Sequence, residues 1–183
     1  MKYVLLITLS CLLVNVKRCA AGPVETQINL QHIDTSKYMV FKFDKILYTN
    51  YKFDKHAEST TLSDNEIRDI EEVIRLEAIK YNKRENTIAV SVTKRTRKML
   101  KDTSYIYRGG FLDSTLSYYK QFIPVINHNG EKEVFISCFC SADQKLHWRE
   151  FLILPDGGGS CFFRLRVNLT KRKVLYFEVN APL

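Results

Sequence analysis

The amino-acid sequence predicts an α+β fold of two layers, in which one helix in the N-terminal half packs on a curled antiparallel sheet. Apolar residues recur at helical spacing after a capping signal at residues 63–66, and short alternating runs follow one another from Ser117 onward. Helical spacing predicts an amphipathic helix, and alternation predicts half-buried strands. Because short connections join the runs, we expect a meander of four to five strands.

The composition is that of an ordinary globular protein with about one domain. The chain has 183 residues, of which 45% are hydrophobic and 26% are charged, which argues against disordered, collagen-like and coiled-coil proteins. Its 28 Lys and Arg residues outnumber the 20 Asp and Glu residues, so the formal net charge is +8.

The first 21 residues are typical of an export signal. The positive start at Lys2 is followed by a mostly apolar run of 14 residues, Tyr3–Val16, and then by the small pair Cys19 and Ala21. This run is too short to span a bilayer but suits a signal peptide. We expect cleavage after Ala21 and an exported protein, periplasmic or extracellular, with no transmembrane segment. A buried helix, a retained anchor and lipidation at Cys11 or Cys19 are the alternatives.

Removal of residues 1–21 leaves 25 basic and 20 acidic residues, a net charge of +5. Residues 22–183 are expected to form a single α+β domain, with 22–36 as a loose N-terminal arm. Tyr38–Phe43 and Ile46–Tyr48 are short runs typical of strands.

The predicted helix covers residues 63–82. Ser63 and Glu66 have the spacing of a capping box, and apolar residues recur at helical spacing from Ile67 to Tyr81. Acidic residues lie near its start and basic residues near its end, as the helix dipole favours. The structure of residues 83–116 is left open, because Thr87–Val92 is also compatible with a strand.

Five runs are predicted as the strands of the meander. They are Tyr118–Ile126, Glu133–Cys140, His147–Leu154, Cys161–Leu169 and Lys173–Val179. Asn129 and Gly130 predict a two-residue hairpin turn, since both residue types tolerate positive φ. Residues 155–159 are expected to form a loop.

Three cross-strand pairs give every predicted strand after residue 132 one apolar face. They place Cys140 opposite His147, Leu154 opposite Cys161, and Leu169 opposite Lys173. The helix is expected to cover the resulting face, which collects Phe135, Phe139, Trp148, Leu152, Leu154, Cys161, Phe163, Leu165, Val167, Leu175, Phe177 and Val179.

About a third of the chain resembles small exported bacterial proteins of unknown function. The segments that carry the resemblance are 122–127, 130–140, 156–163 and 167–170. It implies an exported bacterial origin and a C-terminal sheet, and it implies no substrate. By analogy, the order of a helix before a meander is similar to that of cystatin-like and nuclear-transport-factor-like folds, which host many functions.

Three side chains on one predicted sheet face are candidates for chemistry: Cys138, Cys140 and His147. They have the donor atoms of a zinc site, and Cys140 with His147 has those of a thiol nucleophile and its base. Ordinary half-buried packing is the alternative. Cys161 lies on the other predicted face, so we expect no disulfide to Cys161 and at most a strained bridge between Cys138 and Cys140.

The same polar face carries the candidate site for an anion or another ligand, formed by Arg149, Arg164, Arg166 and Tyr176. Arg149, Arg166 and Tyr176 are expected side by side on successive strands. The alternative is a solvated face with pairs such as Arg164 with Glu178. A second basic cluster lies at Lys94–Lys101.

The sequence therefore predicts a non-enzymatic exported protein, a binding or interaction module of the cell envelope. HExxH, Gly-x-Ser-x-Gly and phosphate-loop motifs are absent from the sequence, and no cofactor is expected. An acidic polymer or another envelope protein is the expected partner, and nucleic acid is not. The alternative is a thiol or hydrolytic enzyme, or a metal binder, that uses Cys138, Cys140 and His147.

Overall fold

The computed structural model describes residues 34–45, 53, 55–141 and 147–181. The predicted signal peptide, most of the predicted arm and the run at 46–48 lie outside these residues. The regular elements, in chain order, are β1 (Tyr38–Val40), β2 (Glu58–Ser59), α1 (Asp64–Leu100), β3 (Tyr119–Ile126), β4 (Lys132–Phe139), β5 (Phe162–Asn168) and β6 (Lys173–Val179).

The sheet is open and mixed, so the predicted α+β class is confirmed and the purely antiparallel sheet is wrong. The strand order is β1-β3-β4-β5-β6, and β2 also pairs with β3. β1 runs parallel to β3, whereas every other pair is antiparallel. Parallel neighbours need a long crossover, and α1 lies in the connection between β1 and β3.

Helix α1 begins where the sequence predicts and continues far beyond the predicted end. Glu66 N–H donates to Ser63 Oγ at 3.3 Å, and Ser63 N–H donates to Glu66 Oε2 at 2.8 Å, which completes the capping box. The helix has 37 residues and ends at Leu100, and the capping residue Lys101 has a left-handed φ of 52°. No Gly or Pro interrupts it, so the Thr87–Val92 run continues the helix. None of the helices that the structure describes could cross a lipid bilayer.

One face of the sheet is covered by the first half of α1. Phe163 in β5 is 1% exposed and contacts the rings of Tyr118 and Phe177, with centroids 5.0 and 5.7 Å away. The predicted place of Phe163 beneath the helix is confirmed. The buried residues of this cluster include Ile67, Ile70, Ile74, Ala78, Phe122, Val134, Ile136, Cys138, Phe163, Leu165 and Val167.

Strand β4 faces the opposite way from the prediction. It pairs directly with β5, with Ile136 opposite Leu165 and Cys138 opposite Phe163, so Phe135 and Phe139 point away from the helix. The predicted pairs of Cys140 with His147 and Leu154 with Cys161 are wrong. Because β4 is buried on both faces, its apolar residues do not alternate, and alternation is what assigns a face.

The segment predicted as strand 147–154 instead covers the second face of the sheet. Gln121 Nε2 donates to the carbonyl oxygens of Trp148 and Phe151 at 2.5 and 2.8 Å, and Ser137 Oγ donates to Ile153 O at 2.7 Å. The ring of Trp148 packs on Tyr119 and Phe139 on this face. The prediction that Trp148 lies beneath the helix is therefore wrong.

The two remaining hairpins join the predicted strands, but the predicted two-residue turn between β3 and β4 is wrong, because Ile126 pairs with Lys132. The β3–β4 turn is longer than predicted, because Asn127 N–H donates to Glu131 O at 2.9 Å and only Gly130 has a positive φ, 74°.

The register of β5 with β6 follows the predicted pairing up to Arg166 opposite Tyr176. An irregularity after Arg166 then shifts the pairing by one residue. The predicted pair of Leu169 with Lys173 is therefore wrong, because Lys173 lies opposite Asn168.

Candidate functional site

The predicted anion site on the sheet is occupied by ion pairs within the chain. Arg164 Nε donates to Glu178 Oε2 at 2.9 Å, and this carboxylate raises the pKa of the guanidinium. Arg166 Nε lies 3.6 Å from Glu133 Oε2 and is opposite Tyr176. The predicted pairs of Arg164 with Glu178 and of Arg166 with Tyr176 are therefore correct. Both guanidinium groups face a carboxylate of the chain, which weakens the case for an anion site here.

Arg149 is separated from these residues by most of the sheet. Its Nη2 donates to Ser36 O at 2.8 Å, and its guanidinium lies 4.5 Å from the ring centroid of Trp148. Ser36 comes just before β1, which is the opposite edge of the sheet from β6. The prediction that Arg149, Arg166 and Tyr176 lie side by side is wrong, because residues 147–154 do not form a strand next to β5.

The cysteines are arranged differently from the prediction. Cys140 and Cys161 form a disulfide, with Cα atoms 4.9 Å apart. The prediction of no disulfide to Cys161 is wrong because β4 pairs directly with β5. Phe139 lies opposite Phe162, so Cys140 and Cys161 are the next residues across the strand pair, and Cys140 N–H donates to Cys161 O at 2.9 Å.

The residues of the predicted thiol or metal site do not converge. Cys138 is fully buried beneath the helix, and this burial raises the pKa of its thiol. Cys140 has no thiol while its disulfide is intact. His147 is exposed, with Nδ1 3.8 Å from Glu150 Oε2. In the part of the chain that the structure describes, no group of His, Cys, Asp and Glu side chains is arranged to hold a metal ion.

A buried ion pair lies between the helix and the sheet. Glu71 Oε1 in α1 is 3.1 Å from Lys120 Nζ in β3, and both side chains are nearly inaccessible. Burial raises the pKa of Glu71, and the ammonium of Lys120 opposes this shift. Cys138 is the residue opposite Lys120 in β4. The helix covers this pair, so it links two elements of the fold and offers no open site.

A polar cleft lies between the turn ends of the β3–β4 and β5–β6 hairpins. Asn168 Nδ2 donates to Glu131 Oε2 at 2.7 Å, and Asn127 Nδ2 donates to Glu133 Oε1 at 2.9 Å. Lys171 Nζ lies 2.5 Å from Glu131 Oε1, and its hydrogen bond holds the pKa of Glu131 below the usual range. The polar groups of this cleft bind one another and tie the two hairpins together.

The second half of α1 and the segment that follows it form a basic extension, which we define as residues 83–112. The segment runs back along the helix. Leu112 N–H donates to Asn82 Oδ1 at 2.8 Å, Tyr107 N–H donates to Thr93 Oγ1 at 3.0 Å, and Arg97 Nε donates to Tyr105 O at 2.7 Å. At 1.5 Å per residue, helix residues 83–100 extend about 27 Å beyond the first half.

The two halves of α1 have opposite charge. Residues 64–82 contain six acidic and three basic residues, a net charge of −3, whereas residues 83–100 contain six basic and one acidic residue, a net charge of +5. The whole basic extension contains eight basic and two acidic residues, a net charge of +6. Four exposed cations near its end, the tip cations, are Lys94, Arg95, Lys98 and Lys101. Among the described residues, none of the tip cations forms an ion pair with a carboxylate.

A groove of about 820 Å³ follows one flank of the basic extension, between the helix and the returning segment. Its walls are apolar at Val90, Ile106 and Phe111, and its cations are Lys94, Arg97 and Arg108, with no acidic residue in the lining. The charge of this region was visible in the sequence as the Lys94–Lys101 cluster. Its place on an extended helix was not.

Comparison of the chain with protein-family models, with curated protein sequences and with solved structures finds no match.

Proposed function

We propose that this chain is an exported, non-enzymatic binding module of the cell envelope that binds an acidic partner through the basic extension. One observation carries the proposal. The basic extension concentrates a net charge of +6, and its tip cations have no carboxylate partner among the described residues. Clustered charge of one sign attracts and orients partners of the opposite sign.

Export is supported by the predicted signal peptide and is compatible with the disulfide between Cys140 and Cys161, since structural disulfides persist mainly in oxidising compartments. Sequencing the N-terminus of the protein recovered from the envelope or medium tests this part of the proposal. We expect the mature chain to begin at Gly22. Material that remains in the cytosol and begins at Met1 would contradict it.

The absence of enzymatic activity is proposed because the thiol alternative has little support. Cys140 is bonded to Cys161, and the thiol of Cys138 is buried with a raised pKa. A nucleophilic thiol has to be accessible and partly ionised. We therefore expect Cys138 to react with a thiol reagent only on unfolding. Rapid reaction of Cys138 in the folded protein would favour the thiol enzyme instead.

Binding through the basic extension is tested by retention on heparin, which serves as an acidic probe. The test variant replaces three tip cations, Lys94, Arg95 and Lys98, by Gln. The matched control replaces three exposed lysines elsewhere by Gln, namely Lys42, Lys45 and Lys55. Both variants lose the same net charge, so a difference between them reports the position of the charges. All six side chains are exposed, and circular dichroism checks that both variants are folded.

We expect the tip variant to elute at clearly lower salt than the control variant, because closely spaced cations act together on one polyanion. Charges separated by more than about 8–10 Å are largely screened from one another at physiological salt. Elution of the two variants at the same salt would show that retention reflects net charge alone, and it would overturn the proposed site.

A further inference from the structure

The end of the basic extension exposes large apolar side chains that its own packing does not use. Met99 and Leu100, in the last turn of α1, are 70% and 57% exposed, and Ile106 on the returning segment is 65% exposed. The buried residues of α1 lie mainly in its first half, and only Ala89 is buried within residues 83–100. Exposed apolar side chains that cluster beside charged residues are typical of interaction surfaces.

The cations and the apolar residues of this end call for different explanations. Cations in the last turn stabilise a helix because they lie near its negative end, so Arg97 and Lys98 have a structural role as well. Met99 and Leu100 gain nothing comparable, since exposed apolar surface is unfavourable in water. A partner that offers an apolar environment directly beside negative charge would bury both side chains and neutralise the neighbouring cations.

A second copy of this chain supplies that combination poorly. Its basic extension would repel this one, and the first half of α1, which is net acidic, is the complementary segment. Four of the six acidic residues there already lie next to a base of the same chain. These ion pairs are Glu66 with Lys132, Glu71 with Lys120, Glu72 with Arg75, and Glu77 with Lys80.

We propose that the partner is a bilayer surface that contains anionic lipid. This inference rests on the proposed function and names the partner of the same extension. Met99 and Leu100 enter the boundary between headgroups and acyl chains, while the tip cations contact lipid phosphates. Basic residues with neighbouring apolar side chains bind membrane interfaces in this way. The end of α1 lies about 27 Å along the helix beyond the half that covers the sheet, so the sheet does not block its approach to a flat surface.

The direct test is flotation of the protein with lipid vesicles. One set contains phosphatidylcholine mixed with phosphatidylglycerol, and the other contains phosphatidylcholine alone. We expect the protein to float with the first set only. Each basic residue near an anionic surface strengthens binding roughly fivefold. Replacement of Lys94, Arg95 and Lys98 by Gln therefore weakens binding about a hundredfold, whereas the Lys42, Lys45 and Lys55 control changes it by a few-fold at most.

A second variant separates lipid insertion from simple charge attraction. Met99→Ser with Leu100→Ser keeps every charge and removes the two apolar side chains, which are exposed and make no core contacts. We expect at least about tenfold weaker vesicle binding from the lost apolar burial. Retention on heparin should be unchanged, because the cations remain.

The outcomes distinguish this inference from the proposed function. Weaker vesicle binding of the Met99 and Leu100 variant with unchanged heparin retention supports insertion into lipid. Unchanged vesicle binding of that variant, or equal binding to both vesicle sets, overturns the lipid inference even where heparin retention still depends on the tip cations. Equal heparin retention of the tip and control variants overturns the proposed function itself.

Discussion

Removal of the disulfide between Cys140 and Cys161 is expected to destabilise the protein, because the bond restrains the loop that contains residues 147–154. The bond closes a loop with a sequence separation of 21 residues. Part of that loop, residues 147–154, covers the second face of the sheet through Gln121 and Ser137. Trp148, the single tryptophan of the chain, lies in the loop. Its fluorescence therefore reports the state of this segment.

The expected magnitude follows from the length of the loop. In the chain-entropy model, a cross-link that closes a loop of this size lowers the entropy of the unfolded chain by an amount worth about 3 kcal/mol at room temperature. The variant with Cys140→Ser and Cys161→Ser loses this contribution. Its free energy of unfolding should fall by about 3 kcal/mol, and its Trp148 emission should shift to the red if the segment loosens before the sheet unfolds.

Urea unfolding measured by circular dichroism, with and without a reductant, is the assay. The reductant should destabilise the parent protein and leave the double variant unchanged. Cys138→Ala is the matched control, because it removes the buried thiol and keeps the sensitivity to reductant. Peptide mapping without reductant should identify a linked pair of peptides that contain Cys140 and Cys161. A loss below about 1 kcal/mol, or the absence of the linked peptides, would refute the reasoning.

Two further predictions concern the core. Phe163→Ala should cost about 3–5 kcal/mol of unfolding free energy, whereas Phe151→Ala, at a side chain that is 64% exposed, should change it by less than about 0.5 kcal/mol; similar losses for both would contradict the assigned faces. Glu71→Gln leaves the buried ammonium of Lys120 without its carboxylate and should cost about 3 kcal/mol, most of which Glu71→Leu with Lys120→Met should restore. Because burial raises the pKa of Glu71 above 4.5, its contribution to stability falls as pH rises from 4.5 through the folded pKa, and Glu71→Gln should remove this dependence from pH titrations of stability.

Local signals in the sequence determined the start of the helix and most of the register of one hairpin. The capping box at Ser63 and Glu66 places the start of α1, because both hydrogen bonds form within four consecutive residues. The hairpin of β5 and β6 alternates and has a short turn, so its register from Phe163 to Arg166 follows from the sequence alone. The irregularity after Arg166, which pairs Lys173 with Asn168, does not. The α+β class follows from the same two signals.

For the basic extension, the sequence determined the charge, whereas the structure determined the conformation and the exposed residues. Its cation cluster was evident in the sequence, because charge needs no structure to be counted. Its helical conformation was not, since β-branched residues such as Thr87 and Val92 are also compatible with a strand. Only the structure shows that Met99 and Leu100 are left exposed, because exposure depends on which elements pack nearby.

The partner of β4 was decided by tertiary structure alone. Residues 147–154 alternate well enough to predict a strand, yet β4 pairs with β5 and the segment covers the second face of the sheet. Side chains of β3 and β4 supply the hydrogen bonds that hold it there, and they are distant in sequence. The pairing of β4 with β5 turns β4 to the opposite face from the one predicted, and it brings Cys140 beside Cys161. The physical reason is that a strand buried on both faces lacks alternation of apolar and polar residues. Its sequence therefore does not show which side faces the helix, and only the neighbouring strands determine this.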